Sequence, residues 1–417
     1  MDGVLNWLPW LFIAAVIFFA LGWVGARVDV KRLLNESRSL PQAYFKGVNF
    51  LLNEQPDKAI DALMEASKQH PEAVELQFAL GSLFRRRGEI DRALRVHKDL
   101  SEQSGLTLTE RTAALYETAL DYHKSGLLDY AEKILCDLID TRSASDVQQR
   151  QIQALLLNLY EQERAWRKAI DIARMLDSDV PQDKRQFVSE VANFYCELAI
   201  DCHAANDAAD AFAQLDRALA ENPQCVRANM LRGDWLMHAG KYEEAIATWQ
   251  KIETQDPAFL GLSAEATLNA YAAIGKSEVG LAAITLLHVR YPALDLLNAL
   301  FKATLASHGA NAAYELVKND LQQNPTLVGL DRLLEAEILA ATDATKAQLT
   351  IERDIVHSHA SRLAVYLCKR CGFKAKQFYW HCPACGGWES FPPRRTAEYD
   401  TAERHLARLQ VEHINNQ

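Results

Sequence analysis

The sequence predicts a mainly α protein in three parts. These are an N-terminal transmembrane helix, a long superhelix of about eight to nine helical hairpins, and a small C-terminal metal-held knuckle. Three observations carry that expectation. Leu5 to Val24 contains no charged residue. Between Pro41 and residue 360, small and large apolar residues recur with a spacing close to 34. Four of the eight cysteines fall in two C-x-x-C pairs near the C-terminus. Composition sets the outer bounds. With 417 residues, 49% hydrophobic, and only 18 Gly and 12 Pro, the chain is neither collagen-like nor low-complexity nor wholly disordered. Its formal charge of -10 makes general nucleic-acid binding a poor expectation. The charge is uneven: residues 362–395 carry seven Lys/Arg against Glu389 alone, while 1–361 carry 36 basic residues against 50 acidic ones.

The first element is residues 1–25. The run LNWLPWLFIAAVIFFALGWV, twenty residues from Leu5, spans roughly 30 Å as a helix, the thickness of a bilayer's hydrocarbon layer. Trp7, Trp10 and Trp23 sit near its ends, where indole favours the headgroup region. Pro9 falls in the first turn, where a missing N–H costs least. A cleaved signal peptide is the alternative, but Asp2 stands where a basic n-region belongs and the apolar run is long. The reading is therefore a retained anchor. Arg27, Lys31, Arg32 and Arg38 follow the span and no basic residue precedes it, which orients the bulk of the chain toward the cytoplasm. Residues 26–40 form a juxtamembrane linker.

Residues 41–360 are the array. Gly47, Phe50, Ala59, Leu63, Ala66 and Pro71 lie at offsets 0, 3, 12, 16, 19 and 24. Gly81, Phe84 and Ala93 repeat the first three, and Gly233, Leu236, Ala245, Trp249, Ile252 and Pro257 repeat all six. Weaker copies run through Ala131, Ala169, Ala211, Ile284 and Ala313, and residues 327–360 read as one more, imperfect pair. Small residues let antiparallel helices approach, large ones fill the groove to the next hairpin, and Gly88, Gly126 and Gly240 mark chain reversals. A 34-residue period of this kind resembles the tetratricopeptide repeat. Such arrays are usually binding surfaces, though a purely structural array is the plainer alternative. The chain contains no GxxxxGK, HExxH, GxSxG or GxGxxG, so it is not expected to be an enzyme and no catalytic residue is assigned. Cys136, Cys196, Cys202 and Cys225 read as small buried hydrophobes, and His97, His123 and His203 as packing residues.

Residues 362–393 form the knuckle. Cys368-Lys-Arg-Cys371 and Cys382-Pro-Ala-Cys385 each close a tight turn that aims two sulfurs at one point. Gly372 and Gly386 follow, suited to positive φ. Cys368, Cys371, Cys382 and Cys385 are the expected ligands of one structural metal ion, zinc or iron. A dithiol redox pair is the alternative. Four thiolates leave no open position for catalysis, and metal binding explains how so short a segment folds. Phe373, Phe378, Tyr379, Trp380 and Trp388 exceed what the segment can bury within itself, so some should pack on the array; RNA binding is the competing use. His381 is not expected to ligate beside Cys382. Residues 394–417 read as a polar C-terminal tail.

A single N-terminal span, a repeat array and a rubredoxin-like, zinc-ribbon knuckle together resemble the lipopolysaccharide assembly protein B (LapB) family of Gram-negative bacteria. The resemblance is closest at Gly47-Val-Asn-Phe50, at Leu83 to Ala93, at Phe194 to Ala199, and at the Tyr379-Trp-His-Cys-Pro run. It implies an inner-membrane adaptor that regulates lipopolysaccharide biosynthesis. Its implied partners are the membrane AAA+ protease, the lipid A-committing UDP-acyl-N-acetylglucosamine deacetylase that is degraded, the inner-membrane lipopolysaccharide machinery and an anti-adaptor. Two other readings stand beside it: a generic membrane scaffold for another envelope assembly, and an iron-dependent redox protein. The tail beyond Pro393 is longer than the resemblance leads one to expect.

Overall fold

A computed structural model of the chain describes residues 42–395, apart from positions 54, 71, 72, 142, 143, 179, 182, 183 and 364. The expected anchor, the linker and the tail from 396 onward lie outside the described residues. Among the described residues no helix is long and apolar enough to cross a membrane. The chain divides into two units at Glu163/Arg164.

The first unit carries α1 (Gln42–Leu52), α2 (Pro56–Gln69), α3 (Val74–Arg87), α4 (Ile90–Glu102), α5 (Leu108–Ser125), α6 (Leu128–Asp140) and α7 (Asp146–Gln162). The repeat offsets acquire a meaning here, because offset 0 on the first helix of a hairpin faces offset 16 on the second. A Cβ on Gly47 would stand 2.7 Å from Leu63 Cγ, and one on Gly81 only 2.3 Å from His97 Nε2. Ala59, Ala93 and Ala131 are fully buried at the offset-12 position. His97 is also fully buried, its Nδ1 2.5 Å from Asp121 Oδ2, and Arg85 donates to Asp121 Oδ1 at 2.7 Å. A charged network thus ties α3, α4 and α5 together where the sequence promised only packing. Two helix starts are fixed by reciprocal caps, Thr107 with Glu110 and Ser145 with Gln148.

The second unit begins with α8 (Trp166–Leu176), α9 (Val188–Ala204), α10 (Ala208–Glu221), α11 (Val226–His238) and α12 (Tyr242–Gln250). The short α13 (Ile252–Gln255) and a 3-10 turn, Pro257–Phe259, lead into α14 (Leu260–Ala273) and α15 (Ser277–Arg290). It continues through α16 (Leu294–His308), α17 (Ala310–Gln323), α18 (Leu327–Ala340) and α19 (Asp343–Leu363). The same register holds: a Cβ on Gly233 would lie 2.2 Å from Trp249 Nε1. Trp249, Ile252 and Leu300 belong to an extended apolar cluster of this unit, each at most 1% exposed. In the next hairpin the small residue moves to the second helix, where Gly280 packs against Tyr271. The imperfect last pair is α18 and α19.

The knuckle follows, with β1 (Tyr366–Leu367) and β2 (Lys374–Ala375) paired antiparallel, Tyr366 opposite Ala375. A bridge between His381 and Trp388 closes its second half.

Candidate metal centre

Each C-x-x-C is a small hydrogen-bonded loop. The Gly372 N–H donates to the Cys368 carbonyl at 2.9 Å, and the Gly386 N–H to the Cys382 carbonyl at 2.9 Å. Those bonds require the left-handed turn that Gly372 (φ 76) and Gly386 (φ 65) adopt without strain. Return bonds from Cys368 N–H to Phe373 O (2.9 Å) and from Cys382 N–H to Gly387 O (3.0 Å) complete both knuckles. The strand pair and the bridge then set the two loops face to face.

The four cysteine sulfurs meet within 4.8 Å of one another. Cys368 and Cys385 are 3.8 Å apart, and Cys371 and Cys382 are 3.7 Å apart. Sulfurs held about 2.3 Å from one tetrahedral ion stand roughly 3.8 Å from each other, so the donor set fits a four-thiolate site. The ring nitrogen His381 Nε2 is 3.0 Å from the Gly386 carbonyl, which gives the imidazole a partner other than the metal. Without a metal the thiols differ. Burial pushes Cys368 up, but hydrogen bonding with Ser390 Oγ and with the N–H groups of Cys371 and Arg370 outweighs it and holds the thiol at about 6. The Phe373 N–H draws Cys371 down, yet desolvation and the three neighbouring sulfurs push it up to about 12. Gathering four sulfurs is unfavourable for the second and later thiolates, and a cation removes that penalty. An ion held by Cys368, Cys371, Cys382 and Cys385 would have its tetrahedral shell filled by four thiolates, as in structural sites.

Most of the aromatic surplus of the knuckle is half-buried, packed against the helices of the second unit. The Trp388 ring sits edge-on to Trp166 (6.1 Å between centroids) and Phe194 (5.8 Å), and stacks on His381 at 4.4 Å. Arg227 reaches over the same indole, its Cζ 5.5 Å from the centroid. Trp380 stacks on Phe259 at 5.2 Å with the planes 1° apart, and Phe378 meets Phe259 edge-on. Polar contacts frame these rings. Asn193 Nδ2 donates to Glu389 Oε1 at 2.9 Å, Tyr366 hydroxyl to Asp295 Oδ2 at 2.5 Å, and Arg395 Nε to Asp295 Oδ1 at 2.8 Å. The one acid of the segment, Glu389, is thus a docking residue, while Phe373 stays 39% exposed.

The sequence singles out four cysteines as expected ligands, along with the knuckle's aromatics, and the structure brings all four sulfurs together. It leaves unmarked the receiving side: Trp166, Asn193, Phe194, Arg227, Phe259 and Asp295. They stand off the six repeat offsets, so the periodicity does not single them out. Arg227 is only 7% exposed, but its helix also carries Arg232 and Asp234, so nothing in the sequence sets it apart. The scattered cysteines divide: Cys196 and Cys225 are buried, but Cys136 and Cys202 are only partly so.

Comparison with known proteins agrees with this division of the chain. A family described as the rubredoxin metal binding domain matches residues 366–393, and a tetratricopeptide repeat family matches 46–99 and 198–258. Lipopolysaccharide assembly protein B of Escherichia coli strain K12 is 32% identical over 387 residues, covering 92% of this chain and 98% of that protein. The Haemophilus influenzae strain Rd protein of the same name is 29% identical, covering 94% and 99%. The TPR2AB-domain:pHSP90 complex of yeast Sti1 is similar over 66% of this chain and 95% of that one, with 17% identity and a TM-score of 0.30, too low to carry weight. Identity of this level over nearly the full length of both sequences places the chain in the lipopolysaccharide assembly protein B family.

Proposed function

We propose that this protein is a membrane-anchored, non-catalytic adaptor in lipopolysaccharide assembly. The observation that carries the reading is the 32% identity spanning 98% of a named lipopolysaccharide assembly protein. The architecture supports it: a repeat array suited to holding partners, with a metal knuckle whose aromatics are docked on the helices instead of facing an open cleft. In this reading residues 1–25 hold the chain in the inner membrane with its bulk in the cytoplasm. The array brings the lipid A-committing deacetylase to the membrane AAA+ protease, and an anti-adaptor restrains it. Confinement to one surface raises the effective concentration of all three without tight pairwise contacts. The metal, zinc or iron, holds the docked surface in place.

The test is an affinity pull-down from solubilised membranes, combined with the deacetylase half-life in a depleted strain. Protease and deacetylase should co-purify with the protein, and depletion should lengthen the half-life and raise lipopolysaccharide. An unchanged half-life would sink the proteolytic reading and favour a general scaffold for envelope assembly. Colour separates the metals: a ferric four-thiolate site is red and zinc is colourless.

A further inference from the structure

Two cysteines of the helical array meet close in sequence to Asn193 and Arg227, which receive the knuckle. Cys196 lies on α9, and Cys225 is the residue that caps the start of α11. Their sulfurs are 3.9 Å apart, and the residues are 0% and 1% exposed. The buried residues clustered with them are mostly small, Ala192, Ala199, Ala218 and Ala228 with Leu215, and larger half-buried side chains such as Tyr195 and Trp235 pack around these. A disulfide, near 2.05 Å, needs the sulfurs to approach by roughly 2 Å, a distance on the scale of a change in side-chain rotamer.

The two thiols are not equivalent. Hydrogen bonding from Cys196 and then from the Ala228 N–H lowers Cys225 against the effect of burial, as suits a thiol at a helix N-terminus. Burial, followed by the adjoining Cys225 sulfur, raises Cys196. Each cysteine also neighbours a residue that holds the knuckle. Asn193, one turn before Cys196, donates to Glu389; Arg227, two residues after Cys225, donates to Asn193 Oδ1 at 3.3 Å and lies over Trp388. Glu389 is near enough to Cys225 to act on its thiolate.

We propose that Cys196 and Cys225 form a reversible dithiol–disulfide site, sealed while the knuckle is docked and opened to oxidant when Trp388 leaves its seat. The oxidant class is a hydroperoxide, in its simplest form hydrogen peroxide. The Cys225 thiolate attacks one peroxide oxygen, the O–O bond breaks, and Cys225 becomes a sulfenic acid as hydroxide departs with the thiol's proton as water. Cys196 gives up its proton and attacks the Cys225 sulfur. The S–S bond forms, the S–O bond breaks, and the leaving hydroxide takes that proton as a second water. The sulfurs lose two electrons and the peroxide gains them.

The experiment treats purified full-length protein with hydrogen peroxide, quenches by alkylation, and maps disulfide-linked peptides by mass spectrometry. Trp388→Ala, with its metal content verified as unchanged, should form the Cys196–Cys225 linkage at least tenfold faster than the parent. Glu389→Gln, a milder loosening that leaves the core intact, should fall between them, and dithiothreitol should reverse all three. Absence of the linkage in every protein overturns the site. Equal rates in parent and both variants overturn the gate. Preferential pairing of Cys225 with Cys202 or a knuckle cysteine overturns the assignment of partners.

Discussion

Arg164 and Asn206 occupy the chain-reversing position that Gly88, Gly126, Gly240 and Gly275 fill in other hairpins, with φ of 55° and 63°. Asparagine tolerates the left-handed region, whereas an arginine side chain there costs roughly 1–2 kcal/mol. Glycine removes that strain but adds unfolded-chain entropy. Arg164→Gly should therefore stabilise the protein by somewhat under about 1 kcal/mol, and Asn206→Gly should leave the melting temperature nearly unchanged. Paired thermal melts decide it; equal shifts would refute the strain argument. The repeat spacing marks both turns in the sequence, but the strain at Arg164 becomes visible only in the backbone. Asp234 gives a second prediction. Burial raises its carboxyl to about 6, with nearby His238 acting weakly in the opposite sense. A carboxyl raised on folding favours the native state while it is protonated, and the advantage is lost as pH rises through about 6. Asp234→Asn should thus stabilise at pH 7.5 by about 1 kcal/mol, allowing for solvent screening. The gain should shrink toward zero as the pH falls to about 4. A gain that does not vary with pH would mean that Asp234 is not the source.

At the scale of the hairpin, the sequence foretells the register through size. Glycine at offset 0 stands opposite a large residue at offset 16, Leu63, His97 or Trp249, and these pairs are in contact. The repeat was legible because that complementarity has to recur in every copy for neighbouring hairpins to stack. It faded where the same gap is closed otherwise, as when Gly280 on the second helix makes room for Tyr271. The His97–Asp121–Arg85 network was not legible, since its members are distant in sequence and each residue alone looks like a surface or packing choice. Steric contact also ranks the glycines. Trp249 is 1% exposed and its indole cannot swing clear, so Gly233→Ala should cost about 1–3 kcal/mol despite alanine's better helix propensity. Gly47→Ala meets the more adaptable Leu63 and should cost less. Combining Gly233→Ala with Trp249→Leu should cost less than the sum of the two single changes in denaturant melts. Simple additivity would show that the two positions do not share one space.

For the molecule as a whole, the open issue is whether the metal folds the knuckle and the knuckle then docks, or whether docking itself assembles the site. The chemistry of the four cysteines favours the first order. The sulfur spacing already matches a tetrahedral ion, and structural zinc sites supply folding energies on the order of 10 kcal/mol. The docking face is made from separable contacts. Aromatic pairs contribute about 0.5–1.5 kcal/mol each, and a cation over an indole about as much. A hydrogen bond to a charged group, here Asn193 to Glu389, contributes about 1.5–3 kcal/mol. Trp388 makes most of the aromatic contacts on one side, so Trp388→Ala should weaken docking by about 3–5 kcal/mol without touching a ligand. The expected result is a protein with full metal content whose α8 and α9 amides near Trp166 and Phe194 exchange faster with deuterium. Cys368→Ser should behave differently, losing metal affinity and the same protection together. The hairpins of the first unit should keep their exchange rates in both variants. If Trp388→Ala also releases the metal, docking and coordination are one cooperative event, and the knuckle cannot be treated as a module that the metal alone holds together.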